Sequence, residues 1–234
     1  MRRVNTVSVA STIAIDGPAG AGKTVVGRAV AERLGYLFLD TGAMYRAVAY
    51  LALKRVIPVD DEAGMIALAG ATDVDIRPGG PADGRPYTVL AGGEDVTWQI
   101  RTPEVDATVS PVSAIAGVRR AMVLLQARIA GRGRCVLVGR DIGTVVLPNA
   151  DLKVYLTASL EARARRRLQE VRARGQHADE AEVRAGIVQR DELDSGRSAS
   201  PLRVADGAHS LDTTKLNVDQ VVERIIALAE GKAR

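Results

Sequence analysis

The chain has 234 residues, enough for one α/β domain with a modest insertion and a core that needs no disulfide staples. Its formal charge is only +4, from 32 basic against 28 acidic residues, and aromatics are 3%. This excludes a polybasic, base-stacking nucleic-acid binder and leaves small polyanions as the expected partners.

No apolar run approaches the roughly 20 residues of a membrane helix, so no membrane partner is expected. Residues 1–12 carry two arginines and no long apolar stretch, which reads as a flexible lead to a domain over 13–234 rather than a signal peptide. The first expected strand covers residues 9–15, rich in β-branched side chains, followed by a turn over 16–22 and a helix over 23–34. The turn is Gly17-Pro18-Ala19-Gly20-Ala21-Gly22-Lys23-Thr24, a complete G-x-x-x-x-G-K-[ST] phosphate-binding loop. Glycines let backbone amides turn inward around phosphate oxygens, and the helix presents its positive end to them. Lys23 is expected at the β- and γ-phosphates of ATP, Thr24 on Mg²⁺, and Val25 completes the ATP side.

A second short strand, 36–39, ends at Asp40-Thr41-Gly42 and leads into a helix over about 43–54. Residues 71–106 break the strand–helix rhythm: short strands at 74–76 and 87–90 and a third piece near Val96 read as a small antiparallel insertion. A strand at 135–138 holds the single cysteine, Cys135, as a buried small hydrophobe in a chain expected in the reducing cytoplasm. It ends at Gly139-Arg140-Asp141. A strand at 152–156 precedes an arginine-rich helix with Arg163, Arg165, Arg166, Arg167, Arg172 and Arg174, and a last helix covers about 218–230. His177 and His209 have no metal or triad spacing and read as surface residues. Alternation of strands and helices implies a parallel sheet with its ligands beyond the strands' carboxyl ends.

Three other P-loop classes fit the sequence less well. The guanine-reading Asn-Lys-x-Asp element of GTPases is absent, and the 135–138 strand does not end in the adjacent acidic residues of a mechanical ATPase. A nucleotide-dependent switch does not need so many arginines at strand ends. Phosphoryl transfer does, because it gathers negative charge between two bound anions.

The phosphate loop, the run Asp40-Thr41-Gly42-Ala43-Met44-Tyr45-Arg46 and the run Gly139-Arg140-Asp141-Ile142-Gly143-Thr144-Val145-Val146 together resemble bacterial cytidylate kinases. Gly92-Gly93-Glu94-Asp95-Val96 with Ile100-Arg101-Thr102 resembles that family's insertion, and Arg190-Asp191-Glu192 through Leu202 resembles its lid. The resemblance covers roughly 13–227. It implies a three-layer P-loop fold with a central parallel sheet, an antiparallel insertion on the monophosphate side at 71–106 and a mobile helical lid at about 160–200. It also implies Mg²⁺-dependent transfer of the ATP γ-phosphoryl group to CMP or dCMP, giving ADP and CDP or dCDP, by a cytoplasmic monomer. An acceptor such as shikimate or UMP is the runner-up.

By the same resemblance, Thr41, Arg46 and Arg140 would hold the acceptor phosphate, with Asp40 and Tyr45 lining that side. Relatives commonly have Ser where Thr41 stands. Ser110, Arg119 and Asp141 would read cytosine, a carboxylate or hydroxyl facing N4 and a guanidinium facing N3 and O2. Without the resemblance, Ser110 reads as part of a Ser-Pro turn and Arg119 as an exposed helical charge. Asp194 would meet the ribose, while Arg190 and Arg197 would reach phosphate oxygens from the lid. The spacing of 190, 194 and 197 puts the three on one helical face. Lys23, Arg140, Asp141, Arg190 and Arg197 are the expected catalytic set. Arg163, with Arg166 and Arg167 on the same side of its helix, would face ATP.

Overall fold

The computed structural model describes residues 9–77, 79–173, 175 and 177–231; residues 1–8 of the lead expected over 1–12, and Arg174, lie outside them. Five parallel strands form the central sheet in the order β2 (Leu37–Asp40), β6 (Cys135–Gly139), β1 (Thr12–Asp16), β7 (Leu152–Thr157), β8 (His209–Asp212). All five residues of β6 are buried, as a parallel strand covered on both faces requires.

Alternation then sorts the apolar side chains. Ile13, Ile15, Val136 and Val138 face α1 (Lys23–Leu34) and α8 (Val218–Ala229). Ala14, Leu39, Cys135 and Leu137 face the larger second core, with α2 (Thr41–Lys54), α3 (Glu62–Ala71), α4 (Pro103–Ala114) and α5 (Ala116–Ala130). Helix α1 lies very close on the sheet: a Cβ at Gly27 would sit 2.3 Å from Val138 Cγ1. Helix α8 starts with a reciprocal cap, in which the Gln220 amide donates to Asn217 Oδ1 at 2.9 Å and the Asn217 amide donates to Gln220 Oε1 at 3.0 Å.

The insertion is a three-stranded antiparallel sheet of β3 (Val74–Arg77), β4 (Thr88–Ala91) and β5 (Glu94–Asp95). It lies against α2, where Lys54 Nζ donates to Glu94 at 2.7 Å. Helices α6 (Leu160–Ala173) and α7 (Glu180–Gly196) pack on each other over the segment expected to be a lid.

Several boundaries differ from the sequence reading. β1 starts at Thr12 rather than residue 9, because Ala10 donates to the Ala229 carbonyl at 2.9 Å and the Ser11 and Thr12 amides both donate to Asp151 at 2.9 Å. Ser110 and Pro111 stand inside α4 rather than in a turn, one turn before its end at Ala114. Edge strand β8 was not anticipated, since its burial is slight. Among the described residues no single helix is long and apolar enough to cross a membrane.

Candidate active site

The register sets the carboxyl ends of three strands side by side, with Asp16 opposite Gly139 and Asp40 opposite Val138. The phosphate loop crosses this edge. Gly17 has φ +149°, and a Cβ there would lie 2.1 Å from the Leu156 carbonyl oxygen, so no other residue fits the first turn. Lys23 is buried and its Nζ donates to the Pro18 carbonyl at 2.7 Å. Burial, then the Arg140 charge, pushes its ammonium well below the usual lysine range. The Thr24 hydroxyl donates to Asp40 Oδ2 at 2.9 Å. Val25, the next residue of α1, is 45% exposed.

Asp16 receives the Ile142 amide at 2.9 Å and the Gly143 amide at 2.8 Å. It thereby fixes the turn that carries Asp141. Burial raises its carboxyl to about 6, against those two hydrogen bonds and with the Asp141 charge adding to the rise.

Across the edge lies a group of arginines. The Arg119 guanidinium is buried at 3% exposure, donates to Asp141 Oδ2 and to the Ser113 carbonyl at 3.1 Å, and stands 5.3 Å from the Tyr45 ring centroid. Arg140 Nε donates to Asp194 at 2.7 Å. Arg46 pairs with Asp106 and donates to the Ile100 carbonyl at 3.1 Å, while Arg167 reaches the same Asp106 at 3.1 Å. Burial works to raise Asp106 and Asp194, but the adjoining arginines outweigh it, and both carboxyls lie below the usual range. Arg190 is the counterpart: burial first, then Arg140 and Arg46, lowers it to about 10. Burial raises the Tyr45 phenol to about 12.

Among the described residues, Arg119 Nε, Arg190 Nε, one terminal nitrogen of Arg197 and the Tyr45 hydroxyl are buried without a protein partner. Buried donors without acceptors are costly, so this concentration suits an anionic, polar ligand.

Helices α6 and α7 both reach the phosphate loop. Asp191 of α7 accepts from the Ala19 amide at 3.2 Å and from Arg163, whose guanidinium also donates to the Ala19 carbonyl at 3.1 Å. Arg166 donates to Thr213 Oγ1 at 3.0 Å, and Arg165 and Arg172 point to solvent. Arg197 caps α7 just past its end and lies 3.5 Å from Asp194.

Thus Arg46, Arg140, Arg190 and Asp194 stand close enough to act on one another's charge, as do Arg119, Asp141 and Arg197; Arg140 and Asp194 also act on Lys23 of the phosphate loop, which Arg163 meets at Ala19. Two of the expected contacts are already taken within the protein. The Thr41 hydroxyl donates to the Val138 carbonyl at 2.9 Å, and both Asp40 oxygens serve Gly42, Thr24 and Tyr87. Ser110 is half-buried in α4, and its carbonyl accepts from the Ser113 hydroxyl at 3.0 Å. Sequence reading missed Asp16, Asp106, Asp191 and Tyr87. Asp16 alone left a signal there, an acidic residue at a strand end directly before the loop.

Among the described residues no group of three or more His, Cys, Asp or Glu is placed to hold a metal alone. One hydroxyl with a carboxylate behind it suits Mg²⁺, which keeps waters and shares phosphate oxygens rather than entering an all-protein cage.

The sequence pattern of the cytidylate kinase family matches residues 13–231. A cytidylate kinase of Chloroflexus aggregans is 48% identical over 227 residues, 95% of this chain and 99% of that protein. A bifunctional pantoate ligase/cytidylate kinase of Synechococcus sp. is 50% identical over 92% of this chain, which spans 40% of that longer protein. Among solved structures, an uncharacterized protein from Eubacterium ventriosum superposes with a TM-score of 0.51 at 10% identity, over 94% of this chain and 98% of that one. That likeness concerns the fold alone.

Proposed function

The chain belongs to the cytidylate kinase family, and from that premise we propose that it transfers the γ-phosphoryl group of Mg-ATP to CMP or dCMP. The observation that carries this reading is the buried Arg119–Asp141 pair, close to Arg197 and Arg140, with Arg140 in turn close to Arg190 and Lys23. An arginine cluster supplies the charge for two phosphates. A fixed carboxylate beside a fixed guanidinium supplies one acceptor and one row of donors for a base edge.

In this reading Lys23 and the loop amides bind the donor phosphates, with Arg163 steadying the loop from the lid. Thr24 would hold Mg²⁺, which would supply positive charge to offset that of the donor phosphates. Arg46, Arg140 and Arg190 grip the acceptor phosphate in line with the γ-phosphorus. Asp141 accepts from the cytosine amino group, and Arg119 donates to N3 and O2. Uracil inverts two of those positions and leaves buried groups unpaired, a difference worth about 1–3 kcal/mol for each group. Asp194 and Arg197 close over the ribose, and closure excludes water that would otherwise accept the phosphoryl group. No covalent intermediate forms on the protein. The setting is the cytoplasm, where CDP and dCDP are made for pyrimidine nucleotide supply, and the acting unit is a monomer.

Release of ADP from Mg-ATP, followed with CMP, dCMP, UMP, AMP, GMP and shikimate in parallel, tests the assignment. Turnover confined largely to CMP and dCMP is expected. Turnover on another acceptor overturns the base-reading part, and no acceptor-stimulated turnover overturns the whole reading.

A further inference from the structure

The Asp40 carboxylate joins three separate pieces of chain. Its Oδ1 accepts from the Gly42 amide at 3.0 Å and caps α2. Its Oδ2 accepts from the Thr24 hydroxyl at 2.9 Å and from the Tyr87 hydroxyl at 2.8 Å. Tyr87 comes from the insertion, immediately before β4, and is 3% exposed. Its ring centroid lies 5.8 Å from that of Phe38 and 5.4 Å from the Arg101 guanidinium. Burial and the Asp40 charge raise the phenol far above its usual range, so the hydroxyl stays a donor.

We propose that Tyr87 is a positioning residue for the donor-side cation: through Asp40 it fixes the Thr24 hydroxyl with its oxygen free for Mg²⁺. The argument is one of proton and lone-pair supply. A threonine hydroxyl has one proton and two lone pairs. When the proton is committed to Asp40, the lone pairs are left for a hard cation. That commitment holds only while the carboxylate keeps its orientation, and Oδ1 alone, capping α2, is a single pivot. The Tyr87 hydroxyl is the second fixed point, and the charge-assisted bond makes it a strong one. The insertion that carries it is fastened to α2 by the Lys54–Glu94 pair at 2.7 Å, so Tyr87 is delivered by a braced element. The proposal rests on the ATP-dependent kinase reading above and adds to it a task for the insertion at the donor site.

Tyr87→Phe in the full chain keeps the ring contacts with Phe38 and Arg101 and removes the hydroxyl alone. Mn²⁺, a paramagnetic substitute for Mg²⁺, is titrated into protein saturated with ATP and followed by electron paramagnetic resonance. ATP affinity in EDTA and the nucleotide-free unfolding midpoint are measured alongside. Mn²⁺ affinity should fall about three- to tenfold in Tyr87→Phe, with ATP affinity in EDTA and the midpoint nearly unchanged. Asp40→Asn should weaken Mn²⁺ at least as much, and adding Tyr87→Phe to it should weaken Mn²⁺ no further. Unchanged Mn²⁺ affinity, with or without a lowered midpoint, leaves Tyr87 a packing role and overturns the proposal, as does full additivity in the double variant. Failure of the wild-type chain to bind ATP overturns the kinase reading and this proposal with it, a result distinct from a Tyr87→Phe chain that matches wild type.

Discussion

Lys23 and Asp16 show how single side chains take their chemistry from where the backbone sets them. Lys23 is buried at the mouth of the loop, where burial and Arg140 disfavour its ammonium and a bound phosphate would favour it. Lys23→Ala should lower kcat by about a hundredfold or more while the unfolding midpoint stays near wild type. A variant that kept kcat within tenfold would remove Lys23 from the transfer step. Asp16 carries a folded-state pKa of about 6 against 3.8 for a free side chain. Because the folded value is the higher one, its contribution to stability is fully present below 3.8 and is lost as pH rises through about 6. Wild type should therefore gain stability relative to Asp16→Asn as pH falls from 7 to 4, by on the order of 3 kcal/mol. Denaturant unfolding of both proteins across that range measures it. A stability difference independent of pH would show that Asp16 titrates as an ordinary carboxylate.

At the scale of elements, α7 connects the two halves of the site. Its Asp191 meets the phosphate loop, its Asp194 meets Arg140, and Arg197 closes its end. Arg197→Ala should lower kcat about ten- to a hundredfold with little loss of ATP affinity, because its role belongs to the closed state. Equal loss in both would place it in ground-state binding. Asp191→Ala removes the tie to Ala19 and should raise hydrogen exchange across α7 about tenfold, leaving the central strands protected. Unchanged exchange would mean that α7 is held by its packing on α6 alone. Sequence periodicity was enough to place α1 and β6, since a phosphate loop and an unbroken apolar run leave little choice. It did not place α4, where Pro111 reads as a breaker yet costs only one hydrogen bond so near the helix end. Nor did it find β8, an exposed edge strand without an apolar run.

In the molecule as a whole, a sheet with two cores carries the site at its carboxyl edge, which the insertion meets through Tyr87 at Asp40 and α7 through Asp191 at Ala19. The arginines of the site were legible only through whole-chain resemblance, because an arginine in a helix such as Arg119 reads as solvated until the fold buries it beside Asp141 and Tyr45. Tyr87 and Asp106 left no trace in local pattern, since their partners lie 47 and 60 residues away in sequence. The proposed choice of substrate depends on the Arg119–Asp141 pair reading cytosine. Its most direct test is the ratio of kcat/KM for CMP over UMP in wild type and in Asp141→Ala. A strong preference for CMP is expected in wild type, with its reduction by about tenfold or more in Asp141→Ala. A ratio that Asp141→Ala leaves unchanged would contradict it.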